Sequence, residues 1–189
     1  MARLLYKINY FSTTHKNNKS MYTPKHFKLI EFTHSATAER LNIDNTPTFE
    51  VVDNITRLCM LVLDTARDMF GKPIIITSGY RSERLNKSVG GVSTSQHLQG
   101  LACDIVVNDM DKLFNILKHN PHIDQLLYET NGKSKWLHVS IAKRGNTPRR
   151  YINSNYMGIK KGAFAPLTIQ YIHPVVKHHI LGLVHSLAF

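Results

Sequence analysis

Residues 123–141 read Ile123-Asp124-Gln125-Leu126-Leu127-Tyr128-Glu129-Thr130-Asn131-Gly132-Lys133-Ser134-Lys135-Trp136-Leu137-His138-Val139-Ser140-Ile141. Two runs rich in apolar and aromatic residues flank a polar segment that contains Asn-Gly, a strong short-range hairpin signal. Antiparallel strands are therefore predicted over Ile123 to Glu129 and Trp136 to Ile141. If Glu129 stands opposite Trp136, Leu127 stands opposite His138, and the two-residue period brings Glu129 and His138 to one face.

Upstream, Leu101 to Val107 predicts another strand, which carries Asp104, and Asn108 is placed to cap a helix from Asp109 to Lys118. Met110, Leu113, Phe114 and Leu117 would form its inner face. Pro73 to Thr77 is β-branched and bounded by turn residues, which predicts a buried strand that delivers Ser78-Gly79-Tyr80-Arg81 at its end. A short helix over Ser82 to Val89 and a loop at Gly90-Gly91 follow. Thr46-Pro47 reads as an N-cap and first helical residue. Val51, Ile55, Leu58, Val62, Ala66 and Met69 then recur at helical spacing up to Gly71. The pattern is α+β, a small antiparallel sheet flanked by helices.

Residues 1–28, rich in Lys, Asn, Ser and Thr, are expected to be a flexible basic arm, with the compact domain over 29–150. Residues 151–189 form a C-terminal extension that becomes apolar after Gly162 and holds His173, His178, His179 and His185. Its end is expected to pack as an amphipathic helix on the domain, docking on a membrane surface being the weaker alternative.

Lys and Arg number 24 against 13 Asp and Glu, a net charge of +11, which favours an anionic partner such as nucleic acid, acidic lipid or the bacterial envelope. No Cys/His finger or aromatic RNA-binding run accompanies the charge, so sequence-specific nucleic-acid binding is not expected. Cys59 and Cys103 are too few for a disulfide framework and read as buried thiols. Lys7 breaks the apolar start of the chain and no small-residue cleavage site follows, so a cleavable export signal is not expected. No run approaches the roughly 20 apolar residues of a spanning helix, so transmembrane anchoring is not expected. A monomer is expected.

His97, Asp104 and His138 offer two imidazoles and a carboxylate to a metal. The set suits Zn²⁺, because three protein ligands leave a tetrahedral position open for water, as a hydrolytic site needs. Cys103 is set aside as a fourth ligand because strand neighbours point to opposite faces. His119 and His122 flank Pro121 in a predicted loop, and the tail histidines lack an acidic companion at ligand spacing, so surface or packing roles are expected for all of them.

Three blocks in order, Ser78-Gly79-Tyr80-Arg81-Ser82, Ser95-Gln96-His97-Leu98-Gln99-Gly100-Leu101-Ala102-Cys103-Asp104-Ile105 and Trp136-Leu137-His138-Val139-Ser140, resemble the motifs of the M15 zinc peptidases over roughly residues 29–150. That family includes D-alanyl-D-alanine carboxypeptidases and dipeptidases and the L-alanyl-D-glutamate endopeptidases of phage endolysins. The resemblance implies one catalytic Zn²⁺ on His97, Asp104 and His138, with Arg81 on a substrate carboxylate or the developing oxyanion. It also implies Ser95 near the substrate, although a hydroxyl capping the loop explains that residue as well. Many relatives carry an acid three positions before the second histidine, where this chain has Lys135. Glu129 resembles instead the glutamate of a subgroup whose base lies on the preceding strand. The implied substrate is a peptidoglycan stem peptide, cut at the bacterial cell wall by a phage lytic or virion-associated enzyme. Two alternatives stay open: a non-catalytic zinc-bearing wall-binding module, and a phage tail component that carries the domain. Asn146, Arg149 and Arg150 read either as the lining of a cleft for an anionic glycan or peptide, or as an exposed basic loop.

Overall fold

The computed structural model describes residues 23–158, in which five strands make one sheet in the order β1-β2-β4-β3-β5. The strands are β1 (Ile75–Ser78), β2 (Ala102–Val106), β3 (Ile123–Thr130), β4 (Lys135–Ile141) and β5 (Tyr151–Gly158). The helices are α1 (Leu29–Thr33), α2 (Ala36–Arg40), α3 (Phe49–Leu58), α4 (Asp64–Phe70), α5 (Glu83–Ser88) and α6 (Met110–Leu117). A π-helical turn, Cys59–Leu63, joins α3 to α4, and a 3₁₀ turn, Gln96–Gln99, precedes β2.

The predicted hairpin forms in the predicted register, with Glu129 opposite Trp136 and Leu127 opposite His138. Its loop is four residues long: Asn131 Oδ1 accepts from the Lys133 and Ser134 amides, and Gly132 takes φ +87°. The pairs β1–β2, β2–β4 and β3–β4 are antiparallel as expected, whereas β5 adds to β3 in parallel. The polar run Tyr151-Ile152-Asn153-Ser154-Asn155 gives no strand signal of its own, and pairing with β3 is what makes it one.

Four element readings are corrected by the structure. Thr48, not Thr46, caps the long helix: its hydroxyl accepts the Val51 amide at 3.4 Å, while the Thr46 amide is taken by Asp44 at 2.8 Å. The π turn adds a residue to the helical repeat, so the buried stripe runs Val51, Ile55, Leu58, Val62, Ala66, Phe70 and leaves Met69 at 62% exposure. The strand predicted as buried is the sheet edge, with Ile75 at 56% exposure and only the preceding Ile74 buried. After β2, Asp109 rather than Asn108 caps α6 by accepting the Lys112 amide at 3.0 Å.

The core lies between the sheet and the helices α1, α3, α4 and α6. Leu58, Val62, Leu63, Leu113 and Leu117 meet Cys103, Ile105, Leu126, Leu137 and Val139 there, all of them fully buried. Cys59 is also buried, and burial pushes its thiol well above the usual range. Residues 25–28, read from the sequence as the end of a flexible arm, are packed: the Lys25 and His26 amides donate to Asp64 at 2.9 and 3.1 Å, and Phe27 is buried against Phe32. The remainder of the arm, residues 1–22, and the tail from residue 159 with its four histidines lie outside the described residues. Among the described residues no helix is long and apolar enough to cross a membrane.

Candidate metal centre

Asp104 on β2 and His138 on β4 are directly paired across the ladder, so their side chains leave the same face of the sheet. The third group, His97, comes from the 3₁₀ turn. Ser95 caps that turn, its hydroxyl accepting the His97 amide at 3.4 Å, and the Asn54 side chain on α3 donates to the Gln99 carbonyl at 2.9 Å. Gly100 ends it at φ +67°, where a Cβ would lie 2.8 Å from the Val51 carbonyl oxygen, so only glycine lets the turn sit on α3. Gly79 is constrained in the same way, since a Cβ there would lie 2.4 Å from the Phe32 carbonyl oxygen.

These contacts aim the ligands. His97 Nδ1 lies 2.7 Å from the Gly79 carbonyl oxygen, which can only accept, so Nδ1 carries the proton and Nε2 is the free lone pair. Nε2 lies 3.3 Å from Asp104 Oδ1, and His138 Nδ1 lies 3.0 Å from the same oxygen. One atom from each of the three side chains falls within 4.8 Å of the other two, and all three residues are buried. It is the one such cluster among the described residues.

Burial opposes the charge of Asp104, but the two imidazoles outweigh it and hold the carboxyl far below its usual range. Burial lowers the pKa of His97 despite the nearby carboxylate. For His138 burial acts in the same direction, yet the hydrogen bond and charge of Asp104 prevail and raise it. Two imidazole nitrogens and an ionised carboxylate oxygen, buried together on two paired strands and a 3₁₀ turn, fit a borderline divalent metal such as zinc.

Arg81 sits just beyond β1, its amide donating to the His97 carbonyl at 3.2 Å and Nη1 3.4 Å from Ser78 Oγ. Its Nε is buried with no hydrogen-bond partner, a donor left for something else to satisfy. Burial disfavours the guanidinium charge, and Asp104 and Glu129 partly compensate. Glu129 is half-buried on the His138 face, as the register requires, and accepts a hydrogen bond from Trp136 Nε1 at 2.9 Å. Lys135 occupies the exposed first position of β4, so no carboxylate stands three residues before His138.

Sequence reasoning missed one supporting cluster. Gln96, next to His97, donates through Nε2 to Asp124 at 3.0 Å and to the Ile141 carbonyl at 3.2 Å. Arg149 meets Asp124 through Nε at 3.0 Å and Nη2 at 2.5 Å. The signal available was Asp124 itself, a carboxylate in a strand otherwise predicted to be buried. Arg149 thus braces the sheet, and Arg150 donates to the carbonyls of Asn120 and Lys118. His119 and His122 are exposed and lie outside the candidate metal cluster, and Cys103 is buried in the core.

A family model described as Peptidase M15 matches residues 25–140, which include every residue of the centre. No curated protein matches the chain.

Proposed function

The chain belongs to the M15 peptidase family, and on that premise we propose that it is a zinc-dependent hydrolase of amide bonds in peptidoglycan stem peptides. The observation that carries this reading is the buried His97–Asp104–His138 cluster, with Arg81 and Glu129 beside it. Zinc held there supplies Lewis acidity at the scissile carbonyl and acidifies the attacking water.

The chain's own residues do the rest. Glu129 accepts the proton of the attacking water as the C–O bond forms and returns it to the leaving amine nitrogen as the C–N bond breaks. Arg81, whose Nε lacks a partner, directs its guanidinium charge toward the tetrahedral centre, or toward a substrate carboxylate that fixes the peptide's register. Ser95, half-buried at the mouth of the 3₁₀ turn, contributes a hydroxyl near the substrate while capping the turn. The basic charge of the chain suits an anionic wall, as in a phage-type lytic enzyme.

Lys135 in place of an acid favours one second reading, a zinc-bearing wall-binding module without turnover. Zinc-loaded protein incubated with purified peptidoglycan and analysed by mass spectrometry separates the two. New stem-peptide termini are expected, and Glu129→Gln should lose about 10²–10⁴-fold in rate with its zinc retained. Zinc binding without any cleavage would leave the binding module.

A further inference from the structure

Trp136 stands directly opposite Glu129 on the hairpin, and its indole Nε1–H donates to Glu129 Oε2 at 2.9 Å. Both side chains are half-buried and share the sheet face that carries His138, two residues beyond Trp136. An indole N–H is a donor only; it can neither take a proton from a carboxylic acid nor accept a hydrogen bond through that nitrogen. From this pairing we infer that Trp136 is a positioning residue for the peptidase reaction, holding Oε2 of Glu129 so that Oε1 alone faces the attacking water. The inference rests on the reading of Glu129 as the base.

The chemistry follows from the valences. The ionised carboxylate receives a charge-assisted hydrogen bond at Oε2, which fixes the plane and rotamer of a side chain with three free torsions. The proton lost by water arrives at Oε1. Oε2 is then the carbonyl oxygen of the acid and still accepts from the indole, so the contact survives both protonation states. The proton leaves from Oε1 to the amine nitrogen, and Glu129 ends the cycle ionised. A tryptophan two residues past the hairpin loop therefore does more than cover apolar surface: it selects which oxygen works.

The chain has one tryptophan, so indole fluorescence reports on Trp136 alone. In the full-length protein, replacing the acceptor by Glu129→Leu should shift the emission maximum relative to wild type. An unchanged spectrum would mean that the contact does not exist. With zinc-loaded protein and a defined muropeptide, Trp136→Phe should lower kcat by roughly 10–100-fold, the range typical of groups that orient a functional residue. KM and bound zinc should stay within about two-fold, since uniform substrate binding is untouched. Wild-type kcat in Trp136→Phe alongside an inactive Glu129→Gln would overturn the inference and leave Glu129 as base. Full activity in zinc-loaded Glu129→Gln would overturn the base assignment instead. If Trp136→Phe does not fold, the Glu129→Leu emission spectrum decides.

Discussion

Asp104 meets both imidazoles through a single oxygen, and in the proposed zinc site that makes it the residue on which metal capture would turn. It is also the one formal negative charge among the three ligands, and its ionised form is strongly favoured. Asp104→Asn keeps the shape and one acceptor oxygen but removes the charge, leaving two neutral nitrogens and an amide for a dication. Its zinc affinity should fall by at least about 10²-fold, beyond what loss of a merely orienting group causes. Isothermal titration of zinc into metal-free protein measures this, and affinity within ten-fold of wild type would remove Asp104 from the ligand set. The candidate trio was readable in the sequence because its donor types are chemically distinctive, and the fold brings the three together. The orientation of His97 was not, because a backbone carbonyl, that of Gly79, fixes its tautomer, and backbone atoms carry no sequence signature.

The elements that hold these residues in place were readable to the extent that their signals are local. The Asn-Gly turn between two apolar runs sufficed for the β3–β4 register, since a slip of one residue would exchange the core residues Leu137 and Val139 with the polar His138 and Ser140. The phase of the long helix held through Ala66 and failed only at its last position, Met69 in place of Phe70, because a π turn is a packing outcome, and β5 failed because its pairing comes entirely from β3. Asp124 shows what such non-local pairing contributes. It joins β3 to Gln96 in the ligand turn and to Arg149 ahead of β5. Burial opposes its ionisation, but the hydrogen bonds and charge of Arg149, with help from Gln96, hold its pKa below the ordinary value. A carboxyl whose pKa is lower in the folded state stabilises fully above its unfolded pKa of about 3.9 and loses that contribution as pH falls through the folded value. Asp124→Asn should therefore cost about 2 kcal/mol at pH 7, discounted for the exposed guanidinium of Arg149. The gap to wild type should close as pH falls below about 4. Urea unfolding at pH 7 and pH 3 tests the sign, and a gap that widened in acid would contradict it.

At the scale of the molecule, the domain extends past both boundaries read from the sequence. Phe27 is buried beneath the Arg67 guanidinium, 5.5 Å from its ring, and Ile152 on β5 packs against the core. A fragment of residues 29–150 loses both, and loss of the buried Phe27 side chain alone costs about 3 kcal/mol or more. Residues 23–158 should unfold cooperatively and bind zinc, whereas 29–150 should melt at least about 5 °C lower or fail to fold. Equal melting temperatures would restore the narrower domain. Charge is distributed on the same large scale. All 13 acidic residues lie between Glu31 and Glu129, so residues 1–30 and 130–189 carry only basic charge against the overall +11. If the substrate is wall peptidoglycan, this asymmetry should serve adsorption to a polyanion more than chemistry at one bond. Exposed charges lose their reach when the screening length shrinks from about 10 Å at 0.1 M salt to about 3 Å at 1 M. Buried groups such as Asp104 and His138 are screened far less. Cleavage of intact cell walls should therefore fall steeply between 0.05 and about 0.5 M salt, while kcat on a small soluble muropeptide changes by less than about two-fold. Parallel salt profiles on the two substrates would show that the basic segments take no part in engaging the wall.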